Sequence, residues 1–231
     1  MARINKGALA RQEIIEVALN HFLEAGYSNT TMRTICSELR MSGGNIAFYF
    51  RTKEHILAEL IDMLCTFQWK LMEEEANDGI SSIMAICLEL TAMATMCEDD
   101  EIAKDIYVSA YTSPLCLEII RKNDMERAKL VFQEYCPDWT DEQYAEAELL
   151  VSGIEYVTLM PAGLNVPLET RLAGALNQIL GIYKVPEEMR KIKIGKVFAM
   201  DYRSIGKRVL QEFKKYVAVE NDRIIREMIG R

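Results

Sequence analysis

A chain of 231 residues buries roughly 70% of the surface its extended form exposes, so it needs no metal or disulfide staple to fold. Half of the residues are hydrophobic, 27% are charged, and 12 glycines and 5 prolines are too few for a collagen-like, low-complexity or disordered chain. The net charge of −8 is unevenly spread, with +2 on residues 1–54, −16 on residues 55–183 and +6 on residues 184–231, so a polyanion has to be met by the ends of the chain.

No strand alternation is present, and apolar residues at helical spacing, broken by short stretches with Gly, Pro, Asn or Asp, predict about ten helices in an all-α fold. The first, about Ala8 to Glu24, turns Ile15, Ala18, Leu19 and Phe22 to one face and stops at Gly26, a residue suited to the left-handed conformation after a helix. Thr31 can cap a short helix through Leu39, and Ser42 another through Phe50, with a tight turn at Arg40 and Met41 between them. A long helix runs from Lys53 to about Glu75 with Leu57, Leu60, Ile61, Leu64 and Phe67 inward. Further helices are predicted at about 80–97, 101–111, 115–135, 140–160, 168–184, 187–200 and 202–229. The chain divides into a helix-turn-helix unit over residues 1–54 and a larger helical body over residues 55–231.

The cysteines Cys36, Cys65, Cys87, Cys97, Cys116 and Cys136 form no C-x-x-C pair, and only His21 and His55 stand by to complete a zinc set, so no metal site is predicted. No apolar leader follows Arg3 and Lys6, and a helical chain of this size needs no disulfides; reduced thiols and a cytoplasmic location are expected. The least charged stretch, Gly79 to Cys97, holds Glu89 near its middle, which favours a buried helix over a membrane span. The absence of G-x-S-x-G, P-loop, G-x-G-x-x-G and H-E-x-x-H patterns argues against an enzyme, and no cofactor is implied.

Two short capped helices joined by a tight turn are the pattern of a helix-turn-helix, whose second helix fits the DNA major groove. The residues Gly26-Tyr27, Thr30-Thr31-Met32-Arg33-Thr34-Ile35-Cys36 and Met41-Ser42-Gly43-Gly44-Asn45-Ile46-Ala47-Phe48-Tyr49-Phe50-Arg51-Thr52-Lys53-Glu54 resemble, in that order, the DNA-binding domain of TetR-family transcriptional regulators. The resemblance covers about residues 8–60. Free N–H groups behind Thr31 and Ser42 suit a phosphate oxygen, though capping alone also accounts for both residues. The resemblance implies that Arg33 reaches a base edge or a phosphate, against the alternative of a solvated side chain, and that Lys53 clamps the DNA backbone. Asn45, Phe48 and Tyr49 offer an amide to a base edge, an apolar face to a thymine methyl and a phenol to a phosphate, with at least one of the three expected in the core instead. Ile46 and Phe50 are read as inward, toward Ile35, Leu39 and Phe22. The chain departs from the family pattern at Ala47, where Tyr is usual, at Tyr49, where His is usual, and at Gly43, which has no side chain at a position that often reads bases. Arg3, Lys6 and Arg11 form either a basic arm along DNA or a solvated terminus.

One reading head of this size has limited specificity, and two related by a two-fold axis read an inverted repeat, so a homodimer on double-stranded operator DNA is implied. The helices at 140–160 and 168–184 are apolar on more than one face, and two late helices of this family usually pair with their mates as a four-helix bundle. Leu150, Ile154, Val157, Leu172, Leu176 and Ile179 are the interface candidates. The stripe Ile205, Val209, Phe213 and Val217 is read as packing on the acidic body of the same or the partner chain. Family bodies commonly enclose a small-molecule pocket, for which Trp69, Met93, Tyr107, Tyr111 and Tyr156 are candidates, although such residues also fill ordinary cores. The acidic middle favours a cationic or neutral amphipathic effector. The expected function is a sequence-specific DNA-binding transcriptional regulator, a repressor released from its operator by an effector. The alternative is a helical interaction module that has lost operator binding, for which Ala47 and Gly43 speak.

Overall fold

A computed structural model describes residues 6–76, 83–160 and 165–229, which form eleven helices and no strand. Helix α1 (Lys6–Ala25) ends at Gly26, whose φ of +87° favours glycine and where a Cβ would stand 2.7 Å from a carboxylate oxygen of Asp105. Its buried face holds the four predicted residues and Ile14 as well. Short helices α2 (Met32–Leu39) and α3 (Gly43–Tyr49) follow, with Arg40 in the left-handed region at φ +52° between them. Ile35, Ile46 and Phe50 are buried with Phe22, so the three helices pack together at one end of a core continuous with the rest of the chain.

The body comprises α4 (Lys53–Ala76), α5 (Ile83–Asp99), α6 (Glu101–Thr112), α7 (Pro114–Phe132), α8 (Asp141–Leu159), α9 (Leu168–Ile182), α10 (Glu187–Phe198) and α11 (Tyr202–Ile229). Every predicted helix is present within a few residues; the expected start at residue 80 lies outside the described residues. Polar caps place several of these starts: Asp100 for α6, Ser113 followed by Pro114 for α7, and a capping box of Thr140 and Gln143 for α8.

Helix α5 is buried nearly all round, as its lack of an amphipathic face requires, and α4, α6, α8, α9, α10 and α11 pack on it. Helix α11 lays Ile205, Val209, Phe213 and Val217 onto α1, α4 and α5 of its own chain. Its cations meet the acidic body, Arg203 at Asp99 (3.3 Å) and Arg208 at Glu75. No described helix is long and apolar enough to cross a membrane.

Candidate nucleic-acid interface and ligand site

The Thr31 hydroxyl accepts the Thr34 N–H at 3.1 Å and the Ser42 hydroxyl accepts the Asn45 N–H at 3.2 Å, so each capping side chain occupies one free donor and leaves its neighbours facing solvent. On the outer face of α3 stand Gly43, Asn45, Ala47 and Phe48, the last 84% exposed. Tyr49 is half-buried, with its ring edge-on to Phe48 at 5.2 Å, and is the member of the trio that belongs partly to the core. Arg33 is exposed, and so are Arg40 and Arg51, which flank α3 in the chain; none of the three has an ion pair among the described residues. The acid in α2, Glu38, is held by His21 at 2.7 Å. Arg40 and Arg51 are not among the predicted contacts, and their only sequence signal is that they bracket α3.

One predicted DNA contact, Lys53, is corrected, and Arg11 takes neither of its two expected places. Lys53 points into its own chain: Nζ donates to the Tyr27 carbonyl at 2.6 Å and the Thr30 carbonyl at 2.8 Å, and lies 4.0 Å from the Tyr27 ring centroid. An ammonium with two carbonyl acceptors and an aromatic face is tying the start of α4 to the turn between α1 and α2. Arg11 makes a bidentate pair with Glu59 at 2.9 and 2.7 Å and covers the Phe50 ring, so it does not join a free basic arm. Arg3 and the Lys6 side chain lie outside the described residues.

The same turn is gripped from the body. Asp105 of α6 accepts the Ser28 N–H at 2.8 Å and the Ser28 hydroxyl. At the far end of α6, the Ser113 hydroxyl donates to Glu54 in the first turn of α4. Helix α6 is thus fastened to the turn between α1 and α2 at one end and to α4 at the other.

Inside the body, two adjacent cavities of about 40 Å³ each share Glu89, Asp124 and Glu155 in their walls. The first is lined by Met93, Tyr107 and Tyr111 from the predicted set; the Tyr107 hydroxyl donates to Gln68 at 2.8 Å and the Tyr111 hydroxyl to Glu155 at 2.9 Å. The second is lined by Arg127, Glu148 and Tyr183. Trp69 acts through Arg127, whose guanidinium lies 5.2 Å from its ring, and Tyr156 lines neither cavity. Arg127 donates to both oxygens of Glu89 at 3.1 Å and to the Cys65 carbonyl at 2.8 Å. Burial pushes the Asp124 carboxyl up to about 7, against Arg127 and helped by Glu89, and burial with the Asp124 charge pushes Glu148 to about 8. Glu155 is held well above the carboxylate range by burial and then by Asp124 and Glu148. Of this set the sequence singled out only Glu89; the others come from separate helices and carry no local signal. A wider groove of about 530 Å³ between α1, α5, α6 and α11 is lined by none of the buried polar atoms that lack a partner. All six cysteines are free, and burial raises five of their thiols.

The expected interface divides. Leu150 and Val157 of α8 are 56% and 61% exposed and Ile154 is half-buried, whereas Leu172, Leu176 and Ile179 of α9 are fully buried in the chain's own core. The latter three are corrected: a side chain already enclosed by its own chain has no area to give a partner. Helix α9 presents Ala173, Gly174, Asn177 and Gln178 outward instead.

Residues 14–60 match the family model described as bacterial regulatory proteins, tetR family. The transcriptional regulator AcuR of Cereibacter sphaeroides is 31% identical over 87 residues, 38% of this chain. The chain thereby spans 40% of the length of that curated relative. Among solved structures, SmeT, the repressor of the Stenotrophomonas maltophilia multidrug efflux pump SmeDEF, aligns at 15% identity over 77% of this chain and 91% of its own, with a TM-score of 0.51, a likeness of fold. Full-length native TylP, a TetR regulator from Streptomyces fradiae, aligns at 16% identity over 90% of this chain and 99% of its own, with a TM-score of 0.49.

Proposed function

We propose that this chain, whose N-terminal domain is a helix-turn-helix domain of the tetR family, is a cytoplasmic DNA-binding transcriptional regulator that reads an inverted repeat as a homodimer and leaves its operator when a small molecule occupies the body. The observation that carries this reading is the outer face of α3. Asn45 and an almost bare Phe48 stand on it, and the unpaired cations Arg33, Arg40 and Arg51 stand in the same unit of a chain whose net charge is negative. Exposed aromatic area on a seven-residue helix has no use in an isolated head, while a thymine methyl and the base edges of a major groove match it.

Two heads held by one dimer face reach successive half-sites only at a fixed separation. The exposed stripe Leu149, Leu150 and Val157 of α8, with open space at Gly153 and Gly174, supports a face between α8, α9 and their mates. A ligand against Tyr107 and Tyr111 presses on α6, and α6 is tied to the Ser28 turn and to Glu54, so its displacement is passed to the head and to α4 together. The ligand acts by binding one of the two head separations more tightly than the other.

Fluorescence anisotropy with the intergenic duplex beside the protein's own gene tests this. Expected is binding well above that of a shuffled duplex, falling steeply with salt, and weakened about 5- to 150-fold by Arg33→Ala, the effect of about 1–3 kcal/mol for one base-edge contact. Equal affinity for both duplexes refutes the reading.

A further inference from the structure

We infer that the paired cavities of the body bind a small organic cation, an amine or guanidine with a short apolar arm, with Glu148 and Glu155 as its counter-ions. Its regulatory consequence rests on the function proposed above; the binding itself does not.

Four carboxyl groups converge here from three helices: Glu89 of α5, Asp124 of α7, and Glu148 and Glu155 of α8. The cations beside them are both engaged. Arg127 is committed to Glu89, to Asp124 at 3.5 Å and to the Cys65 carbonyl, and Arg121 turns its Nε to the Ser152 hydroxyl at 2.9 Å. Glu148 and Glu155 are left with no ion-pair partner among the described residues. Glu148 is the more telling of the two: it is 3% exposed and lines the second cavity, one of its oxygens accepts the Tyr183 hydroxyl, and the other, Oε2, has no hydrogen-bond partner. A buried acceptor with no donor is destabilising, and natural structures rarely leave one unless something fills the place. An ammonium or guanidinium supplies the missing donor and stabilises the ionised carboxylate.

An anion is disfavoured by the same walls, since it would meet four carboxyl groups while Arg127 is already held by two of them. The remaining surface suits an apolar arm, with Leu64, Met93 and Ile120 beside the faces of Tyr107 and Tyr111. Size limits the class. At one water per ~10–15 Å³ of such space, each cavity takes roughly three water-sized groups, enough for a charged head and a few methylenes but not for a polycyclic drug. Burial holds the Glu148 carboxyl up at about 8, so an entering cation, which favours its ionised form, releases a proton near neutral pH. The other titratable groups facing the acids, Tyr107 and Tyr111 of α6, Tyr183 just after α9 and the Cys65 thiol of α4, are all raised by burial and stay protonated through that range; the charged neighbours are Arg121 and Arg127 of α7.

Isothermal calorimetry on the free, full-length protein tests the site, with butylamine, methylguanidine, putrescine and agmatine as probes and 1,4-butanediol and succinate as neutral and anionic controls. Expected is at least one cation bound a hundredfold more tightly than either control. Its heat should change between phosphate and Tris buffers at pH 7.5 as protons are released. Glu148→Gln and Glu155→Gln should each lose tenfold or more in that affinity while the melting temperature holds. Failure of all four cations, preference for succinate, or affinity unmoved in both variants overturns the inference. Anisotropy on operator DNA separates the two readings. A cation that binds without changing DNA affinity supports the site and counts against effector control, whereas DNA binding by a protein that takes up no cation removes the site and leaves the regulator.

Discussion

Lys53→Ala distinguishes an internal tie from a phosphate clamp, because the two roles give opposite results in two measurements. The ammonium donates to two carbonyls at 2.6 and 2.8 Å. Hydrogen bonds from a charged group contribute about 1.5–3 kcal/mol each, and because this side chain is half-buried and its carbonyls can regain water, the lower end applies, about 2–3 kcal/mol in all. At ~2–4 °C per kcal/mol for a chain of this length, differential scanning calorimetry should show the melting temperature falling by about 4–12 °C. Affinity for DNA should fall too, as the turn holding α2 loosens, but the slope of log affinity against log salt should stay at its wild-type value. Arg33→Ala is the counterpart: an exposed, unpaired side chain whose loss changes stability by about 0.5 kcal/mol or less. If Arg33 rests on a phosphate, its removal lowers the salt slope by about one unit. A Lys53→Ala protein that melts at the wild-type temperature and loses about one unit of salt slope would show the ammonium to be on DNA and the internal tie to be unimportant.

The dimer face predicts that Leu150→Glu and Val157→Glu give folded monomers in sedimentation velocity, since each charge is set against its own mate, whereas Leu176→Glu, at a fully buried position, gives a protein that does not fold. Asp105→Ala should leave the α6 cavity wall in place yet weaken the response of DNA binding to whatever occupies the body, measured as the ratio of operator affinities with and without ligand; an unchanged ratio would exclude the Ser28 tie as a route. The folded Glu148 carboxyl, raised to about 8, binds a proton that the unfolded chain gives up near ~4.3, so this group's stabilisation is complete at low pH and lost as pH rises toward and through 8. The melting temperature should therefore decline from pH 5 to pH 8, and Glu148→Gln should flatten the decline; a variant with the wild-type pH profile would place the titration elsewhere.

What could be read in the sequence follows from the range of each interaction. Helix limits at Thr31, Ser42 and Gly26 depend on groups within three or four residues, and α1 to α3 came out as expected. Ile46 and Phe50 were read as inward because their spacing is local to one helix. Lys53 was misread because its acceptors, Tyr27 and Thr30, lie more than twenty residues away and no pattern announces a carbonyl as a partner. The apolar face of α9 looked like an interface for the same reason: periodicity gives the direction of a stripe but not whether its own chain or a partner covers it, and here α5, α8 and α10 cover it. The acid cluster is the least legible part, since Glu89 stands out only as an acid inside an apolar stretch, and Asp124, Glu148 and Glu155 read singly as surface carboxylates of an acidic segment.

The route from cavity to head also has a magnitude to meet. Effectors generally change affinity at a second site by about 1–3 kcal/mol, or 5- to 150-fold. Two hydrogen bonds from Ser28 to the Asp105 carboxylate, both at the surface, are worth about 1–3 kcal/mol together. The two ranges coincide, so breaking this one contact is sufficient for an ordinary effector response and no rearrangement of the core is required. Helix α6 is placed to do it, since Tyr107 and Tyr111, in the cavity wall, lie two and six residues beyond Asp105 on the same rigid helix. A ligand too small to displace α6 would leave Asp105 on Ser28, which makes the length of the apolar arm, rather than the charge that secures binding, the property separating an effector from a silent ligand.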